Sequence, residues 1–292
     1  WDTGTAGFWG ITVRDATVSR LGKWGTATGG SPWPQDDTTN NLYVLCLQGD
    51  SLDIVGRIEG LAPGERIFSS RFMGDEGFLV TFEQVDPLFT LDLRDPRAPK
   101  VVGELKIPGF SSYLQAFGPD HILGIGRDAD PDTGRTRGLK LSLFNVADLS
   151  KPVEVGVYTL ATDPDSWAYS EAEYDHHAVL LDVQRGLLAI PVSASIATAD
   201  NNGDGFPDDY RQESKLYVFR VDPATGFKLV GAINHDTGVR RSVRIGEVIT
   251  SVSETSVKSN QLDDLLTALG SLEIQPKETP IPIDDLPKPI LL

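Results

Sequence analysis

The chain has 292 residues, 42 of them acidic and 26 basic, which gives a formal net charge of −16. Hydrophobic residues make up 40%, enough for a large core and too many for a disordered chain. The acidic balance argues against nucleic acid or an anionic membrane surface as a partner. The single cysteine, Cys46, excludes an internal disulfide, and its apolar neighbours predict a buried side chain.

Four similar segments follow one another along the chain. Each has a strand pattern, a polar turn with Asp or Pro, and a second strand that carries a Val-Gly pair. The glycines of these pairs are Gly56, Gly103, Gly156 and Gly231. Their spacings of 47, 53 and 75 residues predict a repeated unit of ~45 residues with loop insertions.

Pairs of shorter strand patterns complete the units and predict groups of four strands. They lie at residues 67–72 and 77–82, 113–117 and 121–125, 177–181 and 186–192, and 243–245 and 247–252. Residues 8–19 are expected to supply strand material for an incomplete first group. Leucines at i, i+3, i+4 and i+7 within residues 262–269 predict one or two helical turns there.

Four-stranded units at this period are typical of a β-propeller. We therefore predict an all-β fold, a β-propeller of four-stranded antiparallel blades, with about four complete blades and a partial first one. A β-sandwich would also give many short strands, but not this Val-Gly repeat. Because five blades with one broken could close only with strain, we expect an N-terminally truncated ring with an open edge. The partial propeller is assigned to residues 1–275, and the Pro-rich residues 276–292 to an extended tail or linker.

Several stretches resemble one protein family in residue identity as well as in spacing. They are residues 61–75, 79–88, 103–114, 138–146, 174–179 and 240–246. Together they resemble the secreted bacterial and archaeal proteins with a C-terminal β-propeller domain distantly related to WD repeats. The resemblance covers roughly residues 8–275. It implies export to the cell surface or beyond, a propeller, and a natural start upstream of this chain, but no established reaction. Where the family often has a His-Pro pair, this chain has Gln115 and Ala116, so no role is carried over to them.

Residues 200–209 carry the sharpest chemical signal, the pattern D-x-N-x-D-G-x-x-D. Oxygen-bearing side chains stand at positions 1, 3, 5 and 9 with a glycine at 6, a spacing that can wrap ligands around Ca²⁺. The pattern departs from an EF-hand at position 12, where Arg211 replaces the bidentate glutamate. The predicted ligands are Asp200, Asn202, Asp204 and Asp208, with the backbone carbonyl of Phe206. The ion would be structural and would order a long loop; the alternative is a solvated acidic turn.

Asp175, His176 and His177 form a tight histidine cluster. Neighbouring side chains on a strand point to opposite faces, so we expect a structural role here instead of a shared metal. The sequence has no nucleophile elbow, convincing catalytic triad or phosphate-binding loop.

These observations favour a binding or scaffold module over an enzyme, with a protein or a carbohydrate as its ligand. One alternative is a hydrolase or lyase at the propeller channel mouth, with Asp86, Asp175, His176 and Arg240 as first candidates. Another is a purely structural module of the cell surface.

Overall fold

The computed structural model of the protein consists of five antiparallel sheets that follow one another along the chain. It describes residues 9–18, 37–48, 50–82, 86–130, 133, 135–161, 165–201, 204 and 206–274. For residues 9–18, 37–38, 82 and 86 only the backbone is described. Within these ranges, no helix has the length and apolar character that crossing a bilayer would need.

The first three sheets are simple meanders in which strands adjacent in sequence are hydrogen-bonded. Blade I contains β1 (Trp9–Val18), β2 (Asp37–Gln48) and β3 (Ser51–Leu61). Blade II contains β4 (Arg66–Met73), β5 (Glu76–Phe82), β6 (Asp86–Asp92) and β7 (Lys100–Ile107). Blade III contains β8 (Phe110–Ala116), β9 (His121–Ala129), β10 (Thr136–Asn145) and β11 (Val153–Leu160).

The fourth sheet differs because its first strand is split into two short pieces that both pair with the same neighbour. Blade IV contains β12 (Trp167–Tyr169), β13 (Leu180–Asp182), β14 (Leu187–Ala199), β15 (Asp209–Asp222) and β16 (Gly226–His235). Blade V is again a meander, with β17 (Val239–Ile245), β18 (Val248–Ser253), β19 (Ser256–Gln261) and β20 (Asp264–Glu273). The prediction of four complete blades after a partial first one is thus confirmed for the part of the chain that is described.

The four repeat glycines occupy equivalent places in the last strands of blades I to IV. Each pairs with a residue of the preceding strand at a point where the register shifts, which is the position of a β-bulge. A Cβ on Gly56 would lie 2.1 Å from the carbonyl oxygen of Pro96, and one on Gly103 would lie 2.1 Å from that of Leu149. Pro96 and Leu149 belong to the turn between the third and fourth strands of the following blade. Neighbouring blades therefore meet backbone to backbone at Gly56, Gly103 and Gly156, whereas at Gly231 the neighbour is the Leu265 side chain.

Hydrophobic clusters fill the space between each pair of adjacent blades. The largest joins blades III and IV and includes Leu141 of β10 and Leu188 of β14, both fully buried. Three further clusters join blades I and II, II and III, and IV and V. Because a sheet between two neighbours buries both faces, β10 is buried at consecutive positions instead of at alternate ones. Cys46 is a free, buried cysteine, as predicted.

Two local predictions from the sequence were wrong. Residues 262–269 do not form helical turns but a turn followed by β20, in which the Asp264 carboxylate accepts the backbone N–H groups of Leu266 and Thr267. Pairing with β19 overrides the leucine periodicity. Residues 177–181 do not form one strand, because His176–Ala178 is a 3₁₀ turn and only Leu180–Asp182 pairs as a strand. The proposed tail at residues 276–292 lies outside the described residues and stays a prediction.

Candidate functional site

The first strand of blade IV is interrupted by two 3₁₀ turns, each of which has its own capping residue. The Ser170 hydroxyl accepts the backbone N–H of Ala172 at 3.1 Å, and the Glu173 carboxylate accepts the backbone N–H of Ser170 at 2.9 Å, a capping box. The Asp175 carboxylate caps the next turn by accepting the backbone N–H of His177 at 2.9 Å. The chain therefore leaves the sheet after β12 and projects acidic side chains and histidines before it returns at β13.

These projecting carboxylates bind arginines from the two adjacent blades. Arg127 of β9 places Nε 2.7 Å from Glu173 Oε1. Arg241 of β17 bridges Glu171 at 2.9 Å and Asp175 at 2.6 Å. The arginine–carboxylate cluster therefore joins blades III, IV and V, and also includes Arg240, whose Nη1 lies 3.3 Å from Glu171 Oε2.

The two kinds of carboxylate in this cluster differ in their electrostatics. Burial raises the pKa of Glu173, although the Ser170 N–H and the Arg127 guanidinium oppose that shift. The pKa of Asp175 is lowered, first by the backbone N–H of His177, and further by the His177 ring and Arg241. Asp175 is therefore held as an anion.

The two histidines lie on one side of their turn, unlike the strand arrangement that the sequence suggested. Their ring centroids are 3.8 Å apart, and His177 Nδ1 lies 3.0 Å from Asp175 Oδ1. Ligand atoms of Asp175, His176 and His177 all lie within 4.8 Å of one another, so this group could hold a metal ion. Its carboxylate, however, is already shared between His177 and Arg241.

The structure brings together most of the residues that the sequence offered for an enzyme. Asp175 and His176 are neighbours in this group, and Arg240 belongs to the same network through Glu171. Asp86 is the first residue of β6 and pairs with Ile107, but its side chain lies outside the described part.

A pair of aromatic residues on β12, which sequence reasoning missed, lies beside the cluster. Trp167 and Tyr169 are 48% and 38% exposed, whereas Ala168 between them is buried, as expected for alternate positions on a strand. Their ring centroids are 5.5 Å apart and their planes are 18° from parallel. The two rings therefore stack on each other as one partly exposed aromatic pair, which we call the aromatic platform.

Trp167 of the aromatic platform lines a cavity of about 610 Å³ between blades III and IV. The side chains around this cavity are mostly charged or hydroxylated; they include Arg127, Asp130, Thr133, Arg135, Arg137 and Asp165. The strand that carries the platform is fixed from both sides. Arg127 Nη1 donates to the carbonyl of Ala168 at 2.5 Å, and β12 pairs with β14 at three positions.

The predicted calcium loop connects β14 to β15 at the end of a long hairpin. The Asp208 carboxylate accepts the backbone N–H of Asn201 at 2.8 Å, and the Asp204 carboxylate accepts that of Phe206 at 2.9 Å. Asn202 lies outside the described residues, so its place in the ligand set stays a prediction. The described donors are all hard oxygens, the class that Ca²⁺ prefers.

Comparison with known proteins finds two archaeal relatives, both described as uncharacterised. The chain is 38% identical to a protein of Methanocaldococcus jannaschii over 219 residues, which are 75% of this chain and 30% of the relative. It is 47% identical to a protein of Archaeoglobus fulgidus over 152 residues, which are 52% of this chain and 22% of the relative. The chain thus spans less than a third of either relative.

Among solved structures, the crystal structure of Sqt1 from Chaetomium thermophilum matches with a TM-score of 0.37 and 13% identity. That match covers 90% of this chain and 69% of the other. The family model described as "Beta propeller domain" matches residues 16–265, most of the chain and nearly all of the five sheets. The chain therefore belongs to the β-propeller domain family.

Proposed function

We propose that this propeller is an exported binding module that recognises a carbohydrate at the aromatic platform of Trp167 and Tyr169. The observation that carries the proposal is the stacked, partly exposed ring pair whose Trp167 lines a cavity bordered by charged and hydroxyl-bearing residues. Aromatic faces offer a flat apolar surface to the C–H groups of a sugar ring, while nearby charged side chains can hydrogen-bond its hydroxyls.

The rigidity of the aromatic platform supports a binding role. Its strand is paired to β14 and held by Arg127, so little conformational entropy would be lost when a ligand binds. The cavity volume lies within the range of ordinary small-ligand pockets, about 300–1,000 Å³. Arginines and aspartates together can donate to and accept from sugar hydroxyls, which do both.

The binding test compares two aromatic truncations of similar exposure. Trp167→Ala should weaken binding to glycans retained by the unaltered protein by about tenfold or more, as loss of a central aromatic anchor does. Tyr210→Ala is the control, because Tyr210 on β15 is 47% exposed and does not line the cavity. Glycan-array screening followed by calorimetry supplies the measurement. Equal losses in both variants, or no retained glycan at all, would reject the carbohydrate site.

The proposal includes a structural Ca²⁺ ion in the 200–209 loop. Asp200, Asp204 and Asp208 would repel one another without a cation, and the hydrogen bonds of Asp204 and Asp208 already fold the loop back on itself. Calcium at a hundredfold excess over its dissociation constant should stabilise the fold by about 2.7 kcal/mol. Thermal unfolding and limited proteolysis, each with calcium and with chelator, measure this. If neither the unfolding temperature nor cleavage of the loop changes, the calcium assignment fails.

Export is the part of the proposal that rests on the family resemblance alone. Cell fractionation with a cytoplasmic marker tests it, and recovery of the protein with that marker would contradict it.

A second candidate function is a hydrolase or lyase at the arginine–carboxylate cluster. It is favoured by Asp175, which binds His177 Nδ1 at 3.0 Å and could orient that exposed imidazole as a general base. Activity on a hydrolase and lyase substrate panel that disappears in His177→Ala and survives in Trp167→Ala would support this function. Inactivity of the unaltered protein across the panel would count against it.

A further inference from the structure

Blade V is covered by a neighbouring blade on one face only, as far as the described residues extend. In its second strand, β18, Ile249, Ser251 and Ser253 are buried, while the alternate residues are partly exposed. In β10 of blade III, by contrast, seven consecutive residues are buried. A strand buried at every position has a sheet on both sides, and a strand buried at alternate positions has a sheet on one.

The strand register identifies which face of blade V is uncovered. Ser251 and Ile249 face blade IV, because Ser251 Oγ lies 2.7 Å from His235 Nε2 and Ile249 joins the hydrophobic cluster between blades IV and V. Directly paired residues share a face, so the other face can be followed across the sheet from strand to strand. This open face carries the apolar residues Val243, Ile245, Val248, Val252, Val257 and Leu272, together with Gly270 and the polar residues Arg241, Thr250, Ser259 and Gln261.

The open face has exposed apolar side chains on its two outer strands, and at its centre the hydroxyls of Thr250 and Ser259 lie 2.8 Å apart. Ile245, Leu272 and Val243 are 78%, 64% and 53% exposed. Apolar side chains in such a contiguous group usually mark a surface that another structure covers.

Gly270 shows what kind of structure fits there. It lies in the last strand of blade V next to a register shift, which is where Gly56, Gly103, Gly156 and Gly231 lie in their blades. A Cβ on Gly103 would clash with Leu149 of the following blade, whereas a Cβ on Gly270 would have nothing within 4 Å. Gly270 therefore leaves the space that the backbone of a following blade would need, and no described residue fills that space.

We propose that the open face of blade V binds a further four-stranded blade of the same polypeptide, which places the turn between its third and fourth strands against Gly270. The four blade contacts within this chain are the precedent, since each has a turn or strand start of the next blade at the equivalent glycine. The lengths of the relatives agree, because the matched region is only 30% and 22% of them.

The test uses the native full-length protein with a single new cysteine on the open face, Leu272→Cys. Val153→Cys on β11 is the matched control, because Val153, like Leu272, is an apolar residue of an outer strand and is 53% exposed. Within these 292 residues Cys46 is the one native cysteine and is buried, and labelling of the unaltered full-length protein supplies the background rate. The proposal expects Cys labelling at position 272 to be at least about tenfold slower than at position 153, because a covered thiol reacts only after local opening. Equal labelling rates at the two positions would overturn it.

A photo-cross-linker attached at position 272 then identifies the covering segment by mass spectrometry. A cross-link to a peptide outside these 292 residues is the expected result. A cross-link to a peptide within them, or one between two copies of the protein, would overturn the proposal. Gly270→Ala gives a check that needs no cysteine, since it should lower the unfolding temperature of the full-length protein if a turn rests on Gly270. No decrease would contradict that contact.

Discussion

Replacing Gly103 by alanine would test the backbone-to-backbone contact between blades II and III. The new Cβ would lie 2.1 Å from the Leu149 carbonyl oxygen and 3.0 Å from Pro152 Cδ, whereas ordinary contacts begin near 3.4 Å. The turn of blade III would have to move by about 1 Å or more, and overpacking of this kind costs about 1–3 kcal/mol, occasionally more. Because the obstacle is backbone and not a flexible side chain, we expect a loss at the upper end, about 3 kcal/mol.

In the isolated 292-residue chain, in which no described residue covers Gly270, Gly270→Ala is the matched control, since it adds the same methyl group at the equivalent position with nothing within 4 Å. Alanine is better than glycine inside a strand by about 0.5–1 kcal/mol, so the control should be neutral or slightly stabilising. Urea unfolding gives both free energies, and the unfolding temperature of Gly103→Ala should fall by roughly 6–12 °C. If Gly103→Ala stayed within about 0.5 kcal/mol of the unaltered protein, the contact would not be as tight as described.

Two further predictions concern buried charge. Burial lowers the pKa of His235 to about 4, helped by the Lys258 ammonium and opposed by Asp236. Because the pKa of His235 in the unfolded chain is about 6.5, the free energy of unfolding should fall by roughly 3 kcal/mol as the pH falls from about 6.5 to about 4. Urea unfolding of His235→Gln at the same pH values should lack that decrease. If the variant kept the pH profile of the unaltered protein, the assignment to His235 would be refuted. Arg127→Met should lower the free energy of unfolding by about 3–5 kcal/mol, because it leaves the buried Glu173 without its partner. The double variant Arg127→Met, Glu173→Gln should lose less than Arg127→Met alone. If calorimetry found a greater loss in the double variant, this explanation would be contradicted.

The propeller could be predicted from the sequence because three of its four blade contacts place backbone where a Cβ would lie, and so require glycine. At a position such as Gly103 a Cβ would clash with backbone, so glycine recurs at the equivalent position of successive blades and makes the repeat visible in the sequence. Strands between two sheets are buried on both faces, so their sequences are apolar nearly throughout and mark the repeat a second time. Both signals are local in sequence.

The last strand of blade V, with its glycine, was missed because its leucine spacing resembles that of a helix. Gly270 follows Gly231 by 39 residues, but a leucine precedes it instead of a valine. In the structure Leu262 and Leu265 are buried, whereas Leu266 and Leu269 are exposed, so the leucines do not share one helical face. Pairing with β19 decides the conformation, and that pairing is a tertiary effect.

The candidate site was predictable only in part. Asp175 and the two histidines stand out in sequence, and the capping box from Ser170 to Glu173 can be found there as well. What the sequence does not show is that these caps interrupt a strand, because local capping competes with sheet pairing by a small margin. The aromatic platform depends on Arg127, 41 residues away from the Ala168 carbonyl that it holds, and a contact at that distance has no local signature.

The arrangement of the hydrophobic clusters has a consequence for how the protein comes apart. Each cluster lies between one pair of neighbouring blades, so the hydrophobic packing is divided among four separate interfaces. Blades II, III and IV have such an interface on each face, whereas blades I and V have one each within the described chain. Unfolding should therefore begin at the two terminal blades, and the interface between blades III and IV should be the last to be lost.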